Sequence, residues 1–367
     1  MGNVSAGCGG RDCSTAFSKA VGTQHLIRVC VTGANGFIAS HLVQQLLDTN
    51  RYLVIGTVRS LQNPEKVNHL KALKGANTRL QLVEADLKSG SGFKEAVAGC
   101  VCVFHTASPF FTTSSPGLEY CEEELIKPAV DGTMCVLKAC DEEKSVTHVV
   151  LTSSTASVYC RTGKPDTHTF TEDDWSNVQA LRKFKDWYAL SKTEAEKSAW
   201  EFSEKAAFKL VVMNPTLVWG PMLSPHLNTS SETVLAYCDK SKKKYPQGGK
   251  TVVDVRDVAK AHIAGFENPD AEGRYLLISA MVPWKDACSH LTTLVPKENV
   301  PSKMGGAGAA GFSAVPSNVK FNSSKAGALI GGYISWKDTL TATVTSLAEQ
   351  DRLGEEVKNK FRLAECA

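Results

Sequence analysis

The chain has 367 residues, 43% of them hydrophobic and 22% charged, and its formal net charge is +3. That length supports a large buried core, as about two domains or as one domain with an appendage. A charge so near neutral, with no long Lys/Arg block, excludes the footprint of a nucleic-acid-binding protein, and no apolar run reaches the ~20 residues that span a bilayer.

The short cationic cluster from Lys240 to Lys244 is read as a solvated loop. Twelve cysteines are present, yet none forms a CxxC pair. Cys30, Cys102 and Cys135 sit in apolar stretches, where a thiol behaves as a small hydrophobe. Reduced thiols and a cytoplasmic location are expected. The start Met1-Gly2-Asn3-Val4-Ser5-Ala6, with Cys8 close by, resembles a lipidation signal at Gly2 and Cys8, but Ala6 stands where such a signal carries Ser or Thr. Residues 1–22 are therefore expected to form a flexible tail.

From Leu26 the texture changes. Leu26 to Val31 is a short apolar run ending at Gly33, and Ile38, Leu42, Leu46 and Leu47 then recur on one helical face. Tyr52 to Val58 is the next strand candidate, followed by Leu80 to Val83. Phe93 to Ala98 reads as helix, Val101 to Phe104 as strand and Glu124 to Cys140 as helix. His148 to Thr152 is a strand, the stretch around Tyr188 to Lys205 a helix, and Lys209 to Met213 a strand. This alternation predicts an α/β fold of the Rossmann type, a doubly wound parallel sheet with helices on both faces. After Gly220 the alternation weakens. Residues 23–220 are assigned to the nucleotide-binding domain, with 251–275 returning to it. A smaller C-terminal substrate-binding lobe takes 221–250 and 276–355, with a final helix from about Trp336 to Leu353 and a tail over 356–367. The stretch from Pro283 onward is read as irregular, including the Gly/Ala run Gly305 to Gly311 as a connection.

Thr32-Gly33-Ala34-Asn35-Gly36-Phe37-Ile38-Ala39 joins the first strand to the first helix. Glycines there permit a tight turn and bring backbone N–H groups to a pyrophosphate at the helix N-terminus, while Ala39 lets helix and strand pack closely. The second strand ends in Val58-Arg59-Ser60. An acidic residue at this point would bond a ribose 2′-hydroxyl, whereas the arginine fork suits a 2′-phosphate. Lys66 adds a second positive charge, so NADPH is expected over NADH. Asp86, in Ala85-Asp86-Leu87, is a candidate acceptor for the adenine amino group.

Tyr188 and Lys192 lie four apart on a predicted helix and so share a face. A phenol can protonate the alkoxide left by hydride transfer to a carbonyl, and a nearby ammonium is expected to lower its pKa. Thr152-Ser153-Ser154-Thr155 closes the preceding strand, and active sites of open α/β sheets lie at such carboxyl ends. A hydroxyl there can hold the developing oxyanion. Spacing alone leaves Ser153, Ser154 and Thr155 open for that role.

These blocks, with Phe104-His105-Thr106-Ala107-Ser108-Pro109-Phe110, Asn214-Pro215-Thr216-Leu217-Val218-Trp219-Gly220-Pro221 and Val253-Asp254-Val255-Arg256-Asp257-Val258-Ala259, resemble the extended short-chain dehydrogenase/reductase family. The closer similarity is to its dihydroflavonol reductase, cinnamoyl-CoA reductase and methylglyoxal (aldehyde) reductase branch, over about Leu26 to Leu353. The resemblance implies Ser154 as the catalytic serine beside Tyr188 and Lys192. It implies a cofactor site drawn from Gly33, Asn35, Gly36, Phe37, Ile38, Arg59, Lys66, Asp86, Leu87, Thr106, Ala107, Ser108, Tyr188, Lys192 and Pro215, the last against the nicotinamide ring. Tyr159 occupies the place of the asparagine by which dihydroflavonol reductases read their substrate. Of the Asn-Trp-Tyr-Cys-Tyr block of cinnamoyl-CoA reductases, Asp186-Trp187-Tyr188-Ala189-Leu190 keeps only Trp and Tyr. The chain is thus more similar to the broad aldehyde and ketone reductases.

Phe110, Phe111, Tyr159, Met222 and Tyr237 are candidates for a substrate pocket suited to a hydrophobic or conjugated carbonyl. The expected activity is NADPH-dependent reduction of an aldehyde or ketone, in a monomer or homodimer, with no metal. Two other readings fit the same fold: an NAD-dependent sugar-nucleotide epimerase/dehydratase or hydroxysteroid dehydrogenase, which Arg59 disfavours, and an NADP(H)-sensing protein without turnover, which the presence of both Tyr188 and Lys192 disfavours.

Overall fold

A computed structural model of the chain describes residues 26–108, 122–159, 167–305 and 319–365. The N-terminal stretch with Gly2 and Cys8, the pocket candidates Phe110 and Phe111, and the run 306–311 lie outside the described residues.

Each apolar run between turn signals becomes a strand, and each amphipathic stretch a covering helix. In chain order these are β1 (Ile27–Thr32), α1 (Phe37–Asp48), β2 (Tyr52–Val58), β3 (Leu80–Glu84), β4 (Cys102–His105), α2 (Glu122–Glu142), β5 (His148–Thr152), α3 (Trp187–Ser203), β6 (Lys209–Pro215), β7 (Leu217–Trp219), β8 (Gly249–Asp254), α4 (Val255–Glu267), β9 (Gly273–Leu277), β10 (Ala280–Pro283), α5 (Trp336–Glu349) and α6 (Glu355–Glu365). Seven strands form one sheet in the order β9-β6-β5-β4-β1-β2-β3, and every pairing within it is parallel. The order reverses between β1 and β4, and that reversal opens the crevice where ligands of such sheets bind. The expected Rossmann-type fold is borne out.

Strand alternation divides the core between the two faces. Val29 and Val31 of β1 join Leu42 and Leu46 of α1 and Val258 of α4 on one side. Cys30 faces the other way, with Val136 and Leu137 of α2 and Ala199 of α3. Seven cysteines among the described residues are free thiols. Burial pushes Cys100 up to about 11 and holds Cys30 and Cys102 well above the ordinary thiol value, which keeps them as unreactive packing groups.

The C-terminal lobe has its own core. Strands β7, β8 and β10 form a three-stranded sheet, and Trp219, Trp284, Leu291, Leu340, Val344 and Leu347 pack on it. Here the structure departs from the sequence expectation in three places. The stretch after Pro283 is not irregular at its start: Trp284–Leu294 is a helix, with Trp284, Ala287, Cys288, Leu291 and Leu294 buried at three- and four-residue spacing. The expected tail from 356 is helix α6, and Val357 inserts into the lobe's core. The apolar spacing of Trp284–Leu294 is itself the helical signal. Residues 255–277 do rejoin the large sheet, α4 as cover and β9 as its edge strand, whereas β8 stays in the small sheet. The lobes are bolted together where β7 ends: Gly220 N donates to Thr343 Oγ1 at 2.8 Å, and His41 Nε2 donates to the Pro221 carbonyl at 2.8 Å.

Among the described residues no helix is long and apolar enough to cross a membrane.

Candidate active site

The turn after β1 is built by backbone. Gly33 has φ +64°, in the left-handed region, and a Cβ there would come within 3.1 Å of Ala107 Cβ. Both constraints demand glycine. Gly33 N donates to Thr57 Oγ1 at 2.9 Å and Gly36 N to the Gly33 carbonyl at 2.8 Å. Helix α1 begins at Phe37 with no side-chain cap and no acidic residue in its first turn. Its leading N–H groups and positive dipole end are thus left for an anion.

Arg59 is exposed and Lys66 partly so, and among the described residues neither side chain has an ionic partner. Asp86 is partly buried. Its Oδ1 accepts from Lys88 N at 3.1 Å, closing a turn, and Leu87 next to it packs toward Gly132.

Thr32, at the end of β1, ties the turn to β4. Its Oγ1 accepts from Thr106 N at 3.1 Å and from Ala107 N at 3.0 Å. Its own proton therefore goes to His105 Nδ1, 2.9 Å away. Burial and the Lys192 charge push His105 down to about 3, so the ring is neutral and carries its proton on Nε2. This clamp places Ala107 against Gly33 and sends Ser108 toward the other end of the site.

That other end holds the predicted reacting groups. Ser154 lies just beyond β5, where its hydroxyl accepts from Ala156 N at 3.2 Å and caps a short 3₁₀ turn. Asp186 caps α3 through Ala189 N at 3.1 Å, and the first two turns of α3 carry Tyr188 and Lys192 on one face. Tyr188 and Ser154 share a side-chain hydrogen bond. Lys192 Nζ donates to Ser108 Oγ at 3.0 Å. The structure thus joins Ser154, Tyr188, Lys192 and Ser108 at the carboxyl ends of β4 and β5.

The electrostatics differ from expectation in one respect. Burial raises the Tyr188 phenol above its ordinary value, Asp186 adds to the rise, and the Ser154 hydrogen bond is what opposes it. The Lys192 ammonium, expected to lower that phenol, is directed at Ser108 instead. Burial brings Lys192 itself down to about 8, against the opposing pull of Glu196.

Pro215 ends β6, buried and in register with Leu277 of β9. The pocket candidates part company. Tyr159 packs edge-on against Phe170 at 5.0 Å and Phe321 at 5.5 Å. Tyr237 stacks on Trp284 at 4.6 Å, and Met222 joins the same core of the C-terminal lobe.

Sequence reasoning missed the polar layer beneath these groups. Glu196 is fully buried and ion-paired with Arg274 Nε at 2.6 Å. Its Oε2 also accepts from Ser153 Oγ and Ser157 Oγ, each at 2.5 Å, and from Asn214 Nδ2 at 2.8 Å. The signal was present in part, because Tyr188, Lys192 and Glu196 repeat at i, i+4 and i+8 on one face.

The model of the 3-beta hydroxysteroid dehydrogenase/isomerase family matches residues 30–279. Tetraketide alpha-pyrone reductase 1 of Arabidopsis thaliana is 41% identical over 278 residues, covering 75% of this chain and 83% of that protein. Cinnamoyl-CoA reductase 1 of Arabidopsis thaliana is 40% identical over 325 residues, covering 89% and 90%. Among solved structures, vestitone reductase from alfalfa superposes with a TM-score of 0.72 at 31% identity, over 89% of this chain and 99% of that one. Yeast methylglyoxal/isovaleraldehyde reductase complexed with NADPH gives 0.73 at 31%, over 89% and 100%.

Proposed function

We propose that this chain, which belongs to the 3-beta hydroxysteroid dehydrogenase/isomerase family within the extended short-chain dehydrogenases/reductases, reduces an aldehyde or ketone to an alcohol with Tyr188 as proton donor. It is an NADP-dependent oxidoreductase acting on carbonyl groups. The observation that carries the residue assignment is the pair of contacts Tyr188–Ser154 and Lys192–Ser108, side by side at the carboxyl edge of the sheet and linked through Ala107 to the Gly33 turn.

The residues fit the dinucleotide. The Gly33 cradle would crowd a Cβ against Ala107, the first turn of α1 offers uncapped N–H groups, and Arg59 with Lys66 supplies positive charge that has no ionic partner among the described residues, for a 2′-phosphate. When bound, NADPH would supply the hydride. Gly33 to Ile38 would hold the phosphates, Thr106 to Ser108 and Lys192 would serve the ribose side, and Pro215 the nicotinamide side. Ser154 donates a hydrogen bond to the substrate oxygen as negative charge gathers there. Tyr188 delivers its proton to that oxygen, and the Ser154 hydroxyl, no longer needed by the neutral alcohol, turns its one proton to the phenolate that remains. Lys192, protonated below about 8, keeps positive charge beside the ribose and Ser108. The carbonyl compound enters between the sheet edge and the C-terminal lobe.

The test is cofactor oxidation by purified protein, with NADPH and NADH in parallel, across methylglyoxal, aliphatic and aromatic aldehydes, dihydroflavonols and cinnamoyl-CoA. Turnover with a clear NADPH preference is expected, and the best substrate places the enzyme within its branch. Tight cofactor binding with no turnover on any carbonyl would overturn the assignment.

A further inference from the structure

We infer that Glu196, anchored by Arg274, is the positioning residue of the proton-donating site, gathering the Ser154 loop and the Pro215 strand end onto the helix that carries Tyr188 and Lys192. The inference rests on the assignment of those three reacting residues.

The connectivity is dense. Glu196 sits one turn beyond Lys192 on α3. Its Oε2 holds Ser153 and Ser157, the residues that bracket Ser154 on the β5 side. The same oxygen holds Asn214 Nδ2, one residue before Pro215 on β6, and Asn214 also reaches the Ser154 carbonyl at 3.3 Å. Three elements distant in sequence thus meet on a single carboxylate oxygen. A neutral side chain could not accept from so many donors, and a buried carboxylate needs a counter-charge.

Arg274 provides that charge from the edge strand β9, and nearly all of its fork is engaged. Nε and Nη2 reach Glu196 at 2.6 and 3.5 Å, Nη2 reaches Ser157 Oγ at 3.2 Å, and Nη1 reaches the carbonyls of Glu172 and Asp174 at 2.8 and 2.6 Å. Its guanidinium carbon lies 3.8 Å from the Trp175 ring centroid. The loop so captured returns to the serine side, since Ser176 bonds the Ala156 and Ser157 backbones at 2.8 Å. Paired, bonded and stacked, the guanidinium leaves Glu196 no freedom to turn away, which is what holding Ser154 opposite Tyr188 requires.

The network touches the chemistry electrically at one point, Lys192. The groups facing that ammonium are Glu196 and Tyr188 on its own helix, and Ser108 and the neutral His105 at the end of β4. On α2, packed along α3, the Lys127–Asp131 pair is solvent-exposed. Glu196 is the anion that favours the charged Lys192.

Two variants test the inference, with Tyr188→Phe beside them. E196D keeps the charge and the Arg274 pair but draws the carboxylate back by one methylene from Ser153, Ser157 and Asn214. E196M/R274M removes both charges together, so that no lone ion is left buried. Both are expected to lose far less in NADPH affinity than in kcat, because the Gly33 turn and Arg59 lie at the far end of the crevice. Both are expected to lose about tenfold or more in kcat, as displaced reacting groups do. In E196M/R274M the alkaline limb of kcat/KM also moves to lower pH, because Lys192 without its anion loses its proton sooner. A merely unstable protein would scale the whole profile and leave the limb in place. Wild-type kcat in E196D, or an unmoved limb in a folded E196M/R274M, overturns the inference; should the double variant not fold, E196D alone decides. If Tyr188→Phe keeps full turnover, the site assignment fails first. If Tyr188→Phe is inactive while the Glu196 variants are not, only the positioning role falls.

Discussion

The two ends of the crevice are made differently. At the end proposed for the phosphates the candidate groups are backbone N–H groups and the cations Arg59 and Lys66, and nearly all come from one stretch between Thr32 and Lys66. At the end proposed for the chemistry they are side chains at β4, β5, α3, β6 and β9, held by a buried ion pair and neutral buried histidines. A site of the first kind depends on the absence of atoms, as where a Cβ at Gly33 would strike Ala107. A site of the second kind depends on mutual placement, and losing any one group disturbs several others.

The sharpest way to break this contrast is Tyr188→Phe. It removes the proposed proton donor and nothing from the proposed phosphate end, so kcat should fall about a thousandfold with NADPH binding unchanged. Stopped-flow turnover beside fluorescence titration of the cofactor measures both, and equal losses in the two would deny that the ends are separate. Gly33→Val tests the opposite end. With φ at +64° and Ala107 in the way, NADPH affinity should drop by about a hundredfold through strain and lost approach. Retained affinity would mean that the turn is not where the phosphates lie.

Arg59→Ala should be milder, costing about tenfold in the preference for NADPH over NADH, as expected for one exposed contact to a charged phosphate. An unchanged cofactor ratio would leave the 2′-phosphate to Lys66.

The last effect is on stability in acid. Burial depresses His105 to about 3 and His262 to about 4, both below the ordinary 6.5. The unfolded chain therefore binds more protons below that value. Their contribution is complete above about pH 6.5 and declines as pH falls, by roughly 1.4 kcal/mol per histidine per pH unit. Thermal melts at about pH 7.5 and about pH 5.5 check it. Coincident melts would mean that these rings are not held neutral, and with them the Thr32–His105 and Thr152–His262 ties.

What the sequence determined by itself is whatever short-range pattern controls. Strand-helix alternation gave the doubly wound sheet, because burying both faces of a parallel strand requires continuous apolar runs. Thr32 to Ile38 could be read as a phosphate turn, since glycine freedom and helix dipoles are local properties. Tyr188 and Lys192 were legible because four residues make one helical turn. The tertiary structure alone decided contacts between residues far apart in the chain. Arg274 is 78 residues from Glu196, and nothing in β9 marks it as the counter-ion of a helix behind another strand. It also decided that burial and Ser154 set the state of Tyr188, with Lys192 turned toward Ser108, because the direction of an ammonium depends on what surrounds its tip. The helix at Trp284–Leu294 was legible in its spacing, since Trp284, Ala287, Cys288, Leu291 and Leu294 recur on one face; what the tertiary structure decided is the C-terminal lobe's core, which that face and Val357 of Glu355–Glu365 enter.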